Sequence, residues 1–242
     1  MSYGANRDRG VALDLDGVLI DGMPFHIVAW KAALGPHGLS VDENELYELE
    51  GIPTADVLDI LAKRHDFSLS EAERAEIVAR KRARYDEIFS PQPLAGAKDL
   101  VELLDQLGYR LALVTGTQRA SGERALEELD VRERFVRIVS VEDVSAGKPA
   151  PEPYLKALAT LAVPPENCLV IENAPPGVAS ARAAGLPCVA LATYLPAERL
   201  RELPGVGAVF ETLAELIVWL QQEADRSRAR GAFAFSQAER SL

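Results

Sequence analysis

The sequence predicts an α/β fold in which a parallel sheet is interrupted once by an all-helical insertion. Two observations carry this reading. Short apolar runs of strand length alternate with helical-period segments after about residue 92, the signature of βαβ units. Between about Pro24 and Ser90, by contrast, apolar residues recur only at helical spacing.

The first run, Val11-Ala-Leu-Asp-Leu, stops at Asp16-Gly17 and reads as a buried strand entering a turn. In the insertion, Pro24 suits a first helical turn, with Ile27, Trp30 and Leu34 on one face. Pro53 opens a second helix with Val57, Leu58 and Leu61 inward, and Ser70-Glu-Ala-Glu begins a third with a capping box, running toward Phe89. After Pro91 and Pro93 the alternation starts: helix 96–107, strand 110–115, helix 118–129, strand 136–140 and helix 151–161. It continues with strand 168–171, helix 176–184, strand 187–192 and a last helix over about 211–223. The tail from Ala224 is rich in Arg, Ala and Ser and is expected to fray. The expected organisation is a Rossmann-like core of residues 1–21 and 92–242 and a helical cap of residues 22–91. Hinges are expected near Asp21-Gly22, where glycine absorbs dihedral change, and Pro91–Pro93, where prolines stiffen the return.

Composition narrows the function. The 242 residues carry 26 Lys+Arg against 37 Asp+Glu, a net charge of −11, which disfavours a nucleic-acid partner. Hydrophobic content of 48% is that of a globular protein. No apolar run reaches the roughly 18–20 residues of a membrane span, and Met1–Gly10 is polar, so no membrane partner and a cytoplasmic location are expected. Cys168 and Cys188 sit among apolar residues and read as reduced core thiols.

Ligands of open α/β sheets sit at the carboxyl ends of the strands. Those positions hold Asp14-Leu15-Asp16-Gly17, Thr115-Gly116-Thr117, Gly147-Lys148-Pro149 and Glu172-Asn173. Each alone is an ordinary turn or loop; four in order, each closing a predicted strand, indicate a site. Clustered carboxylates need a cation or a proton between them, and a small oxygen-only set suits Mg²⁺ completed by phosphate and water. Lys148, the Thr115 hydroxyl and the N–H groups near Gly116 suit an anion. One carboxylate can then serve as nucleophile and the other as proton carrier.

At these residues the sequence resembles the haloacid dehalogenase superfamily, and within it the phosphoglycolate phosphatase and β-phosphoglucomutase branch, over roughly residues 10–222. Asp14-Leu-Asp-Gly-Val-Leu matches the first motif and Val114-Thr-Gly-Thr the second. Gly147-Lys-Pro-Ala-Pro-Glu-Pro-Tyr matches the third and Ile171-Glu-Asn-Ala-Pro-Pro-Gly the fourth. The resemblance implies a nucleophile at Asp14, an acid–base residue at Asp16 and phosphoryl ligands at Thr115 and Lys148, with Gly116 and Thr117 beside the phosphate. It also implies Mg²⁺ held by Asp14, the Asp16 carbonyl and the fourth motif, Glu172 and Asn173. The insertion falls between the first two motifs, where the family places a cap. Only 33 residues separate Thr115 from Lys148 and 24 separate Lys148 from Glu172, which leaves no room for a second cap.

Several departures bear on function. The fourth motif usually reads Glu-Asp; Asn173 removes one negative charge, so weaker metal binding and a larger share for Glu172 are expected. An asparagine here also resembles the metal-free dehalogenases, but those lack the second aspartate that Asp16 supplies. His26 matches a cap-entrance histidine of the mutase branch, or is a helix-surface histidine beside Trp30. Thr54 stands where that branch carries an arginine for a second phosphate, which favours phosphatase over mutase. The run Arg80-Lys-Arg-Ala-Arg84-Tyr85 reads as a solvated face, or turns a charge at the Lys81/Tyr85 turn into the cleft. Arg119, just past the second motif, is the preferred substrate-facing cation. The resulting expectation is a Mg²⁺-dependent phosphatase for a small phosphorylated metabolite, such as phosphoglycolate or a sugar phosphate. The alternatives are a sugar phosphomutase and an inactive binding scaffold of the same fold.

Overall fold

A computed structural model of the chain describes residues 8–230. Six strands form one fully parallel sheet: β1 (Gly10–Leu13), β2 (Arg110–Val114), β3 (Phe135–Val139), β4 (Cys168–Glu172), β5 (Cys188–Leu191) and β6 (Val206–Phe210), in the order β3-β2-β1-β4-β5-β6. The sheet reads as near-continuous apolar sequence because helices cover both of its faces. On one side Val11 and Leu13 pack with α5 (Ala97–Gln106), α6 (Arg119–Glu128) and α10 (Leu213–Arg230). On the other, Ala12 packs with α7 (Glu152–Leu161) and α8 (Pro175–Ala183). The order reverses at β1, so the crevice beyond the ends of β1 and β4 is the topological switch point where such sheets hold ligands.

Between β1 and α5 lie α1 (Met23–Leu34), α2 (Glu43–Glu48), α3 (Thr54–Arg64) and α4 (Glu71–Ile88). They enclose an apolar cluster of their own, in which Met23, Ile27 and Trp30 meet Leu58, Leu61 and Ile77. The capping box that starts α4 is formed, with the Ser70 N–H donating to Glu73 (2.8 Å) and the Glu73 N–H to the Ser70 hydroxyl (3.3 Å). The outgoing and returning connections lie side by side: Asp21 N donates to Gln92 O (2.7 Å) and Leu94 N to Leu19 O (3.0 Å). Both segments singled out as hinges therefore belong to one two-stranded crossing.

Four elements depart from the sequence reading. The β6 strand escapes it because Val206-Gly-Ala-Val-Phe is a half-buried edge strand interrupted by a glycine. The short α2 and α9 (Ala197–Arg201) carry too few residues to show a period. The helix expected to end near residue 223 continues to Arg230, since Ala224 packs inward and the Ala/Arg composition favours helix. The expected fraying beyond it concerns residues 231–242, which lie outside the described residues. Among the described residues no helix is long and apolar enough to cross a membrane.

Both cysteines are buried in the sheet; burial pushes the Cys168 thiol up to about 12 and Cys188 well above its usual value. Neither should react with a thiol reagent at pH 8 in the native protein, and both should react in denaturant. Rapid native labelling read by mass spectrometry would contradict this packing.

Candidate active site

The switch-point crevice gathers an unusual density of charge. Asp14 and Asp16 follow β1, Thr115 and Thr117 follow β2, and Glu172 and Asn173 close β4; Lys148 arrives from the loop before α7. Asp14, Asp16, Thr115, Lys148, Glu172 and Asn173 are all buried. The Lys148 ammonium donates to Asp14 Oδ1, to Glu172 Oε1 (2.7 Å) and to the Val114 carbonyl (3.3 Å). Burial works to lower Lys148, but the Asp14 and Glu172 carboxylates outweigh it and hold it above its ordinary value, fully protonated. Burial pushes Asp14 up to about 8 against the pull of Lys148, with Glu172 and Asp16 adding to the push. Asp14 and Glu172 hold the buried Lys148 directly, and Asp16 and Glu50 add further carboxyl groups to the same crevice.

Glu172 is held by four donors. Its Oε1 accepts from Lys148 and from the Tyr154 hydroxyl (2.6 Å), and its Oε2 accepts from the N–H groups of Asn173 (3.0 Å) and Ala174 (3.5 Å). This carboxylate anchors Lys148. Asn173 presents the opposite case, because its side-chain oxygen is buried with no hydrogen-bond partner. Asp16 Oδ1 and Glu50 Oε1 are in the same condition. Buried acceptors left empty are uncommon, and three in one crevice fit a cation with oxygen ligands. Among the described residues no three His, Cys, Asp or Glu side chains are spaced to hold an ion. Of the fourth motif, Asn173 Oδ1 is the side-chain acceptor left free.

The helical insertion roofs this crevice. The loop Glu50–Thr54 lies against the core: a Cβ on Gly116 would stand 2.3 Å from the Gly51 carbonyl, so only glycine admits the approach. The enclosed cleft, about 760 Å³ with its open mouth, is lined by Asp14, Asp16, Gly116, Thr117 and Gln118 from the core and by His26, Glu50, Thr54, Lys81, Arg82 and Tyr85 from the roof. Thr115 lies beneath it, its hydroxyl 2.9 Å from that of Thr117.

His26 faces the site. Its Nδ1 lies 2.8 Å from Lys81 Nζ, its ring stacks on Tyr85 at 4.3 Å, and its Nε2 is 3.7 Å from Asp16 Oδ1. Burial, with Lys81 second, lowers His26 below its usual value, which suits a neutral ring whose Nδ1 accepts from the ammonium and whose Nε2–H points at Asp16. Burial likewise lowers Lys81 to about 8. Of the basic run, Arg80 and Arg84 pair outward with Glu76 and Glu87, while Lys81 and Tyr85 turn inward. Arg119 is corrected: its guanidinium donates to the Ile138 carbonyl (2.9 Å) and to Asp143 (2.5 Å), away from the cleft.

Glu50 and Tyr154 escaped the sequence reading as site residues. Glu50 directly precedes the Gly51-Ile-Pro turn, and an acid at such a loop is the one available signal. Tyr154 ends the quoted third motif, on the first turn of α7, which aims it at Glu172.

A family model described as haloacid dehalogenase-like hydrolase matches residues 9–185. The chain is 34% identical to validoxylamine A 7′-phosphate phosphatase of Streptomyces hygroscopicus subsp. limoneus over 78% of this chain and 88% of that protein. It is 33% identical to hexitol phosphatase A of Escherichia coli over 90% and 98%. The structure of a β-phosphoglucomutase from Clostridium difficile superposes with a TM-score of 0.77 at 25% identity, covering 92% of this chain and 99% of that one.

Removing Lys148 should strand two buried carboxylates. Lys148→Ala is expected to cost about 3–5 kcal/mol in urea denaturation, whereas Tyr154→Phe should cost about 1–3 kcal/mol. Equal, small losses would mean that the lysine does not neutralise the cluster.

Proposed function

Because the chain belongs to the haloacid dehalogenase-like hydrolases and is a phosphohydrolase, we propose that it is a Mg²⁺-dependent phosphatase for a small phosphorylated sugar or polyol. The observation that carries this reading is the buried Asp14–Lys148–Glu172 cluster beneath a roofed cleft. Both relatives named above are phosphatases, one of them for a hexitol phosphate, which supports a carbohydrate ester over phosphoglycolate.

The mechanism follows from the residues. Asp14 attacks phosphorus, forming a carboxylate O–P bond as the ester P–O bond breaks. Asp16, whose Oδ1 is committed to no hydrogen bond, delivers a proton to the leaving alkoxide. It then takes a proton from water, whose oxygen displaces Asp14 and releases inorganic phosphate. His26 Nε2 lies 3.7 Å from Asp16 Oδ1. Lys148 and the Thr115 and Thr117 hydroxyls hold the phosphoryl oxygens. Mg²⁺, held by Asp14, the Asp16 carbonyl and Asn173, would supply the positive charge that lets a carboxylate and a phosphate dianion meet. The roof keeps water out during transfer.

The same framework serves mutases, and the comparison structure above is one. One residue argues for hydrolysis here: Thr54, at the cleft, carries no charge for a second phosphate. With glucose 1-phosphate or a hexitol phosphate and Mg²⁺, the expected product is free phosphate; formation of glucose 6-phosphate would favour the mutase. Asp14→Asn should abolish turnover, and chelation should remove activity that Mg²⁺ restores. Hydrolysis that survives exhaustive chelation would sink the metal assignment.

A further inference from the structure

Glu50 is a carboxylate of the roof, 6% exposed, that reaches across the cleft to the core. Its Oε2 accepts from Asn173 Nδ2 (2.5 Å), its Oε1 is buried with no partner, and it lines the cleft with Asp14 and Asp16. Among the described residues no lysine or arginine forms an ion pair with it.

An asparagine amide has two unlike ends, and a single rotation exchanges them. The Glu50 carboxyl accepts from Nδ2, which turns that end of the amide toward the roof and leaves Oδ1 as the free acceptor. Gly17 crowds the same amide: a Cβ there would lie 2.1 Å from Nδ2. An aspartate at position 173 would instead set two carboxylates against each other in a dry place. The amide in the core and the acid in the roof are therefore complementary.

Resting on the Mg²⁺-dependent reading above, we propose that Glu50 is a positioning residue of the cation site. It fixes the Asn173 amide with its oxygen toward the ion.

Mn²⁺ binding to the full-length protein, followed by electron paramagnetic resonance without substrate, tests this apart from turnover. Glu50→Ala should weaken binding by about 10–100-fold, the range for residues that orient a ligand. Glu50→Gln, which keeps an acceptor but no charge, should lose less. Asn173→Asp added to Glu50→Gln should bind more tightly than Glu50→Gln alone, because the donor and the acceptor have changed places and the donor still orients the residue at 173. Circular dichroism establishes folding, and Glu50→Gln carries the test if Glu50→Ala does not fold. Binding by either single variant within twofold of wild type, or no gain in the double variant, overturns the inference. A wild-type protein that binds no Mn²⁺ overturns the metal reading with it.

Discussion

Everything at the crevice depends on keeping one lysine and several carboxylates out of water together. A buried ammonium or carboxylate alone is prohibitive, and Lys148 is tolerable only because Asp14, Glu172 and the Val114 carbonyl close around it. Those partners come from β1, β2 and β4, so the cluster forms only when the parallel sheet is in register. Glu172 is itself held by Tyr154 and by a backbone N–H at the start of the next loop. The result is a rigid, incompletely neutralised negative site, a physical setting that attracts a cation and, through it, a phosphate.

The cap adds the second constraint. It meets the core through backbone approach at Gly116, through the Glu50–Asn173 hydrogen bond, and through Tyr194, whose ring stacks on Tyr47 and whose hydroxyl accepts from the Met23 N–H (3.4 Å). Apolar packing crosses the seam as well, since Ala29, Tyr85 and Phe89 of the roof share one cluster with Val11, Leu13 and Leu19 of the core. Substrate exchange requires that this roof lift.

The core was legible because strand ends are. A β-strand followed by a turn leaves little freedom, so Asp14, Asp16, Thr115, Lys148 and Glu172 could be placed in one crevice from order alone. Which atoms remain free was not legible: Glu172 is held by Tyr154, Lys148 and two backbone N–H groups, while Asn173 keeps an empty oxygen. In the cap the facing of a helix decides, and a single sequence with charges all round α4 does not orient it; Lys81 goes in while Arg80 and Arg84 go out. Arg119 misled for a similar reason, since Asp143 and the Ile138 carbonyl offer it better partners than the cleft does. The net charge of −11 argued against a nucleic-acid partner, yet some of those acids create the local need for a cation that a small phosphate ester can exploit.

The most direct test of the central claim is to look for the phosphoryl group on Asp14. The protein, turning over a hexitol phosphate with Mg²⁺, is quenched in acid within milliseconds and the peptides are mapped by mass spectrometry. The account predicts a phosphorylated peptide whose modification sits on Asp14 and decays as phosphate appears. Phosphate release at an undiminished rate with Asp14 unmodified at every quench time, and equally with Asp14→Asn, would contradict it.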